Sequence, residues 1–151
     1  MGIGIPLVLS LLTLIIYRQK LLEILNSGAF PSPIIVFVNQ KKTADMVAKD
    51  LQRAGVGVNN SSHPRSLSQL VELQWSAATL HSGKNQEQRE ASLQSLRTGE
   101  SDILVATDLA GRGIDVQDVS LVINFQMAGT IEAYVHRIGR FCFGSDVILI
   151  S

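Results

Sequence analysis

The stretch Ile34–Gly55, IIVFVNQKKTADMVAKDLQRAG, decides the fold. Its opening IIVFV is an uninterrupted β-branched and aromatic run, as in a strand buried on both faces within a parallel sheet. From Thr43 to Arg53 the apolar side chains Ala44, Val47, Ala48 and Leu51 share one face of a helix, and Gly55 ends it. A two-sided buried strand feeding a one-sided helix is the first half of a βαβ unit, and it calls for parallel neighbours.

Those neighbours are found on both sides. Upstream, Gln19–Asn26 carries apolar residues at helical spacing and stops at Ser27-Gly28, after which Pro31 and Pro33 punctuate the entry to the strand. Downstream, Ser76–Leu80 reads as a second strand, Gln86–Arg97 as a helix closed by Gly99, and Ile103–Ala106 as a third strand. Leu121–Phe125 is a fourth strand, Ile131–Ile138 a helix and Val147–Ile150 a final strand. Strands alternating with helices predict an α/β fold, an open parallel sheet with helices on both faces and right-handed crossovers. In that architecture the working loops lie at the carboxyl ends of the strands.

The bulk composition narrows the function. At 151 residues the chain is about one domain long. Lys plus Arg and Asp plus Glu are 13 each, so there is no polybasic arm to hold nucleic acid by charge alone, and any such binding needs a local patch. Cys142 is the single cysteine, which excludes an intrachain disulfide and a Cys-based zinc cluster.

One strand end concentrates chemistry. Ile103–Asp115 reads ILVATDLAGRGID, a buried strand running into Thr107-Asp108, with Gly111 and Gly113 flanking Arg112. Glycines let the backbone approach a phosphate closely, and arginine adds a planar donor fork for its oxygens. Glycines used only for turning would give the same letters, so the loop needs its context.

The context is a family resemblance. ATDLAGRGID resembles motif V of the DEAD-box RNA helicases, and VNQKK after the IIVF strand resembles their motif IV region. TLHSGKNQEQRE resembles the stretch with the Gln-x-x-Arg motif, here Gln86 and Arg89, and YVHRIGR, Tyr134–Arg140, resembles the start of motif VI. All four stand in the family's order and spacing. LLEILNSG, SPIIVFVNQKK, QEQRE and VQDVS also resemble a branch of the family that works in pre-mRNA splicing.

The resemblance implies a RecA-like helicase C-terminal domain and a division of labour within it. Thr107, Gly111 and Arg112, with Arg89, Gln86 and His81 nearby, would hold the backbone of single-stranded RNA, a contact that positions RNA without reading its sequence. Asp115 would reach the ribose of ATP, Arg140 would be an arginine finger, and His136 and Arg137 would link ATP state to the interface with a first RecA-like domain. The complete family enzyme uses ATP with magnesium. The expected partners are single-stranded RNA, the first helicase domain and spliceosomal proteins, in the nucleus.

Three departures limit that reading. No G-x-x-x-x-G-K-[ST] phosphate loop and no Asp-Glu pair for magnesium occur in the sequence, so tight ATP binding and hydrolysis by this chain alone are not expected. The family continues motif VI as HRIGRTGR, whereas this chain reads HRIGRFCF, so Phe143 stands where a second finger arginine would fall and the motif is broken after Arg140. Val56–Gln74 is inserted where a short turn would serve; without it the sequence becomes AGWSAATLHSG, the family spacing. A valine codon opens with GT and a glutamine codon can close with AG, so the insert reads either as an in-frame retained intron or as a genuine surface loop.

The apolar run Met1–Tyr17, followed by Arg18 and Lys20, is read as foreign to a helicase domain spanning 19–151. It is shorter than the roughly 20 residues that span a bilayer and lacks the positive start of a signal peptide. Membrane tethering is therefore a minor alternative, and a non-catalytic RNA- or protein-binding module is the main one.

Overall fold

The computed structural model describes residues 4–54, 75–108, 116–139 and 146–150. Its elements are α1 (Gly4–Asn26), β1 (Ile34–Val38), α2 (Lys41–Ala54), β2 (Ala77–Leu80), α3 (Gln86–Thr98), β3 (Ile103–Thr107), β4 (Leu121–Asn124), α4 (Ile131–Gly139) and β5 (Asp146–Leu149). The five strands form one sheet in the order β2-β3-β1-β4-β5, and every pairing is parallel. β1 is the central strand, in register from Ile34↔Ile103 to Val38↔Thr107 on one side and from Ile34↔Leu121 to Phe37↔Asn124 on the other.

The two-period alternation of a strand sorts its side chains onto opposite faces. Ile34, Val36 and Val38 of β1 join Ile103, Val105, Leu121 and Ile123 beneath Leu21 and Leu25 of α1 and Val47 and Leu51 of α2. Ile35 and Phe37 join Leu104, Ala106 and Val122 beneath Leu96 of α3. The unbroken IIVFV run follows from this, because each face of β1 has its own core to fill.

α3 is delimited by local chemistry. Asn85 caps its start: the side chain accepts from the Gln88 amide at 2.8 Å while the Gln88 side chain accepts from the Asn85 amide at 3.1 Å. Gly99 ends it in the left-handed conformation at φ 80°, which glycine adopts without a Cβ penalty.

Several boundaries differ from the sequence reading. β2 starts at Ala77, one residue later than expected, and β5 covers Asp146–Leu149, one residue earlier, with Ile150 following it and bonding through its amide to Asn124 O. The larger difference is α1, which begins at Gly4 rather than near Gln19. Leu and Ile are adequate helix formers and Pro6 sits in the first turn, where its missing N–H costs nothing, so nothing local stops the helix at Tyr17. Leu14 and Tyr17 already pack against the core, and Tyr17 stacks edge-on against Phe125 at 5.8 Å, whereas Val8, Leu9, Leu11 and Leu12 are exposed. Gly55, the insertion at 56–74, Cys142 and Phe143 lie outside the described residues. Among the described residues no helix is long and apolar enough to cross a membrane.

The two ends of α1 should therefore respond differently to truncation. Leu21→Ala, at a site 2% exposed, should cost about 2–4 kcal/mol in urea unfolding, whereas Leu12→Ala, at a site 50% exposed, should stay within about 0.5 kcal/mol.

Candidate RNA and nucleotide interface

The carboxyl ends of β1, β3 and β4 lie side by side, and each delivers a polar residue just beyond or at its last position: Asn39, Asp108 and Asn124. Arg137, from the second turn of α4, reaches across all three and is 1% exposed. Its Nε donates to Asp108 Oδ1 and its Nη2 to Asp108 Oδ2 at 2.8 Å, a bidentate pair. The second Nη2 bond goes to Asn39 Oδ1 at 2.7 Å, and Nη1 donates to Asn124 Oδ1 at 3.1 Å and to the Gln126 carbonyl at 2.6 Å. Arginine has five N–H donors, and all five are used. The guanidinium also lies 5.5 Å over the Phe37 ring.

Asn39 is bound as completely. Its amide donates to Gln126 Oε1 at 2.9 Å and its Nδ2 to the Met127 carbonyl at 2.9 Å, while its Oδ1 receives Arg137. The end of β1 is thereby tied to the β4–α4 loop and, through Arg137, to the end of β3.

This changes the place of Arg137. The sequence reading gave it to ATP and the domain interface, but the structure puts it inside the domain with no donor left for a nucleotide. His136, its neighbour, is exposed on the outer side of α4. Thr107 is buried as the last residue of β3, directly before Asp108. Gln86 is exposed and Arg89 half-buried on the first turns of α3. Gly111, Arg112, Asp115 and Arg140 lie outside the described residues.

His81 is also buried. The Gly83 amide donates to its Nδ1 at 3.1 Å, so the neutral ring carries its proton on Nε2, which faces Asp45 Oδ1 at 2.9 Å. The structure thus gives His81 two protein partners rather than a solvent-facing edge.

Asn39, Asp108, Asn124 and Gln126 are functional-edge residues that the sequence reading assigned no role. A trace of them was present: Asn124 is the one polar residue at the end of the LVIN strand, and Asp108 directly follows Thr107. What the letters did not carry was their convergence on one guanidinium. Among the described residues no cluster of His, Cys, Asp and Glu is arranged to hold a metal. The residues present do not fit an ATP–magnesium group by themselves, because the sequence holds no phosphate loop.

A parallel sheet with its polar residues gathered at the carboxyl ends of the central strands defines a class, and comparison with known proteins specifies it. Residues 17–142 match the helicase conserved C-terminal domain, and the chain belongs to that family. It is 61% identical over 123 residues to the pre-mRNA-splicing ATP-dependent RNA helicase PRP28 of Cryptococcus neoformans, and 58% identical over 123 residues to prp-28 of Neurospora crassa. Each of these alignments covers 82% of the chain and 14% of the relative, so the chain spans a small part of the length of the curated relatives it matches. The crystal structure of the RNA helicase Prp28 from Chaetomium thermophilum bound to ADP superposes with a TM-score of 0.67 at 51% identity, covering 87% of this chain and 29% of that one. The RecA-like C-terminal fold expected from the sequence is what these similarities support.

The hub predicts a sharp substitution pattern. Arg137→Met should destabilise the chain by about 3–5 kcal/mol, because Asp108 then loses its buried counter-charge. The double variant Arg137→Met/Asp108→Leu should recover a large part of that loss in the same denaturation assay, since removing both partners leaves no unpaired charge.

Proposed function

We propose that this chain is the second RecA-like half of a DEAD-box RNA helicase of the pre-mRNA-splicing type, a half that holds single-stranded RNA by its backbone and requires a first domain for ATP. The observation that carries the reading is the carboxyl edge of the sheet, where Arg137 fixes the ends of β1, β3 and β4 to one another. Gly111 and Arg112 follow Asp108 in the sequence, so the bidentate Arg137–Asp108 pair anchors motif V at its third residue. Thr107, Gly111 and Arg112, with Gln86 and Arg89 on the neighbouring helix, would supply the donors for phosphate and sugar. His136 and Asp115 would face the nucleotide side, and Arg140 the transferred phosphoryl group. Arg137 would act on ATP only indirectly, by fixing Asp108 and the helix that bears His136.

Hydrolysis requires a phosphate cradle and a magnesium site from another domain. With Phe143 in place of a second finger arginine, even a paired enzyme should turn over slowly, which favours a non-catalytic RNA-binding module as the second reading. Spliceosomal proteins and a nuclear location belong to the same proposal. The insertion at 56–74 falls in the sequence between α2 and β2, which meet at the opposite end of the sheet from this edge, where added chain length costs little closure entropy.

Two measurements test this. Ultraviolet crosslinking to a single-stranded RNA oligonucleotide should label the chain, and Arg112→Ala should reduce labelling several-fold; undiminished labelling would remove motif V from the grip. The purified chain should show no RNA-stimulated ATP hydrolysis above background, and mixing with a phosphate-loop domain from a related helicase should restore at most a small fraction of that enzyme's rate, whereas full turnover would rule out the non-catalytic reading.

A further inference from the structure

We propose that His81 is a positioning residue, a latch that sets where α3 begins and so aims Arg89 at RNA, rather than a residue that itself touches RNA. The inference rests on the RNA-backbone reading above. His81 directly follows β2 at a site 7% exposed, and both ring nitrogens are occupied by the protein. Nε2 reaches Asp45 on α2, and Nδ1 takes the amide of Gly83, two residues further along the chain.

The main chain closes the same turn, since the Lys84 amide donates to the His81 carbonyl at 3.1 Å. The next residue is Asn85, the cap of α3, whose first turns carry Gln86 and Arg89. A continuous path of bonds therefore runs from α2 through the imidazole to the cap of the helix that presents Arg89.

The fit around the ring is close. A Cβ placed on Gly83 would lie 3.0 Å from His81 Cε1 and 3.1 Å from Nδ1, so a side chain there would press on the ring and displace it by a few tenths of an ångström. That gives Gly83 a packing reason in addition to any role in turning. Asp45 is half-exposed, and its carboxylate holds the ring through Nε2.

The assignment makes a prediction of sign. Taken as a charge alone, Asp45 repels RNA, so removing it should tighten binding. Taken as the latch partner, its loss should loosen the turn before α3 and weaken binding. The experiment uses the full chain, a single-stranded oligouridylate and fluorescence anisotropy over a salt series.

Asp45→Ala should weaken binding by about three- to tenfold and lower the slope of log affinity against log salt by about 0.7, the loss of one phosphate contact to a single strand. Asp45→Asn removes the same charge but keeps an oxygen that accepts from Nε2–H, and it should bind at least as well as the unaltered chain. Arg89→Ala should lower the slope by the same amount, and combining it with Asp45→Ala should add little, because both remove one contact.

Tighter binding by Asp45→Ala, or equal behaviour of the Ala and Asn variants, overturns the latch. If the unaltered chain binds no RNA, the RNA reading fails first, and the latch is then decided by ¹H–¹⁵N spectra. Asp45→Ala and Gly83→Ala should both shift the Asn85–Arg89 amides, and a long-range imidazole spectrum should show the proton on Nε2; unmoved amides or a proton on Nδ1 would refute it.

Discussion

The Arg137 guanidinium is the constraint on which the working edge depends. A buried arginine carries a desolvation cost of several kcal/mol, and that cost is offset here only because every N–H has a partner and one partner is a carboxylate. The partners come from three parallel strands whose ends would otherwise fray independently, each followed by a loop. One planar cation fixes their relative heights. A lysine could hold one of these groups as a point charge but not five acceptors in a plane, so the geometry demands arginine.

The hub also explains why residues far apart in sequence can form one surface. Asn39 follows β1, Asp108 follows β3, Asn124 ends β4 and Gln126 lies just beyond it, and Arg137 arrives on a helix. In a parallel sheet all the strands point their carboxyl ends to one edge, so these residues are brought together by topology before any side chain chooses a partner. The side chains then select one arrangement, which holds Asp108 of motif V. On the adjoining part of the same edge, His81 does a similar task on a smaller scale between α2 and the start of α3.

Most of the architecture was legible in the letters. IIVFV read as a strand buried on both faces because both of its faces carry a core, α2 was visible from apolar spacing and α3 from its closing glycine, whereas the Asn85 cap emerged only in the structure. The start of α1 was not legible, since an apolar run gives no period by which to separate a packed helix from a projecting one; Leu21 and Leu25 are buried whereas Leu9 and Leu12, equally apolar, are not. At the site, motif order pointed to the carboxyl ends of the strands but not to the contacts made there. His81 and Arg137 looked like groups for ligands because histidine and arginine are so used, and their burial among protein partners is a tertiary fact that spacing cannot express.

Residue-resolved amide hydrogen exchange on Asp108→Ala tests the central claim most directly. If Arg137 unites the three strand ends, exchange should rise together at Asn39, Phe125 and Gln126, which lie on other strands than the altered residue, while Ile34 and Ser120 at the opposite end of the sheet keep their protection through bonds to Asp102 and Pro33. Acceleration confined to the residues next to position 108, with Asn39 and Gln126 unchanged, would contradict the account.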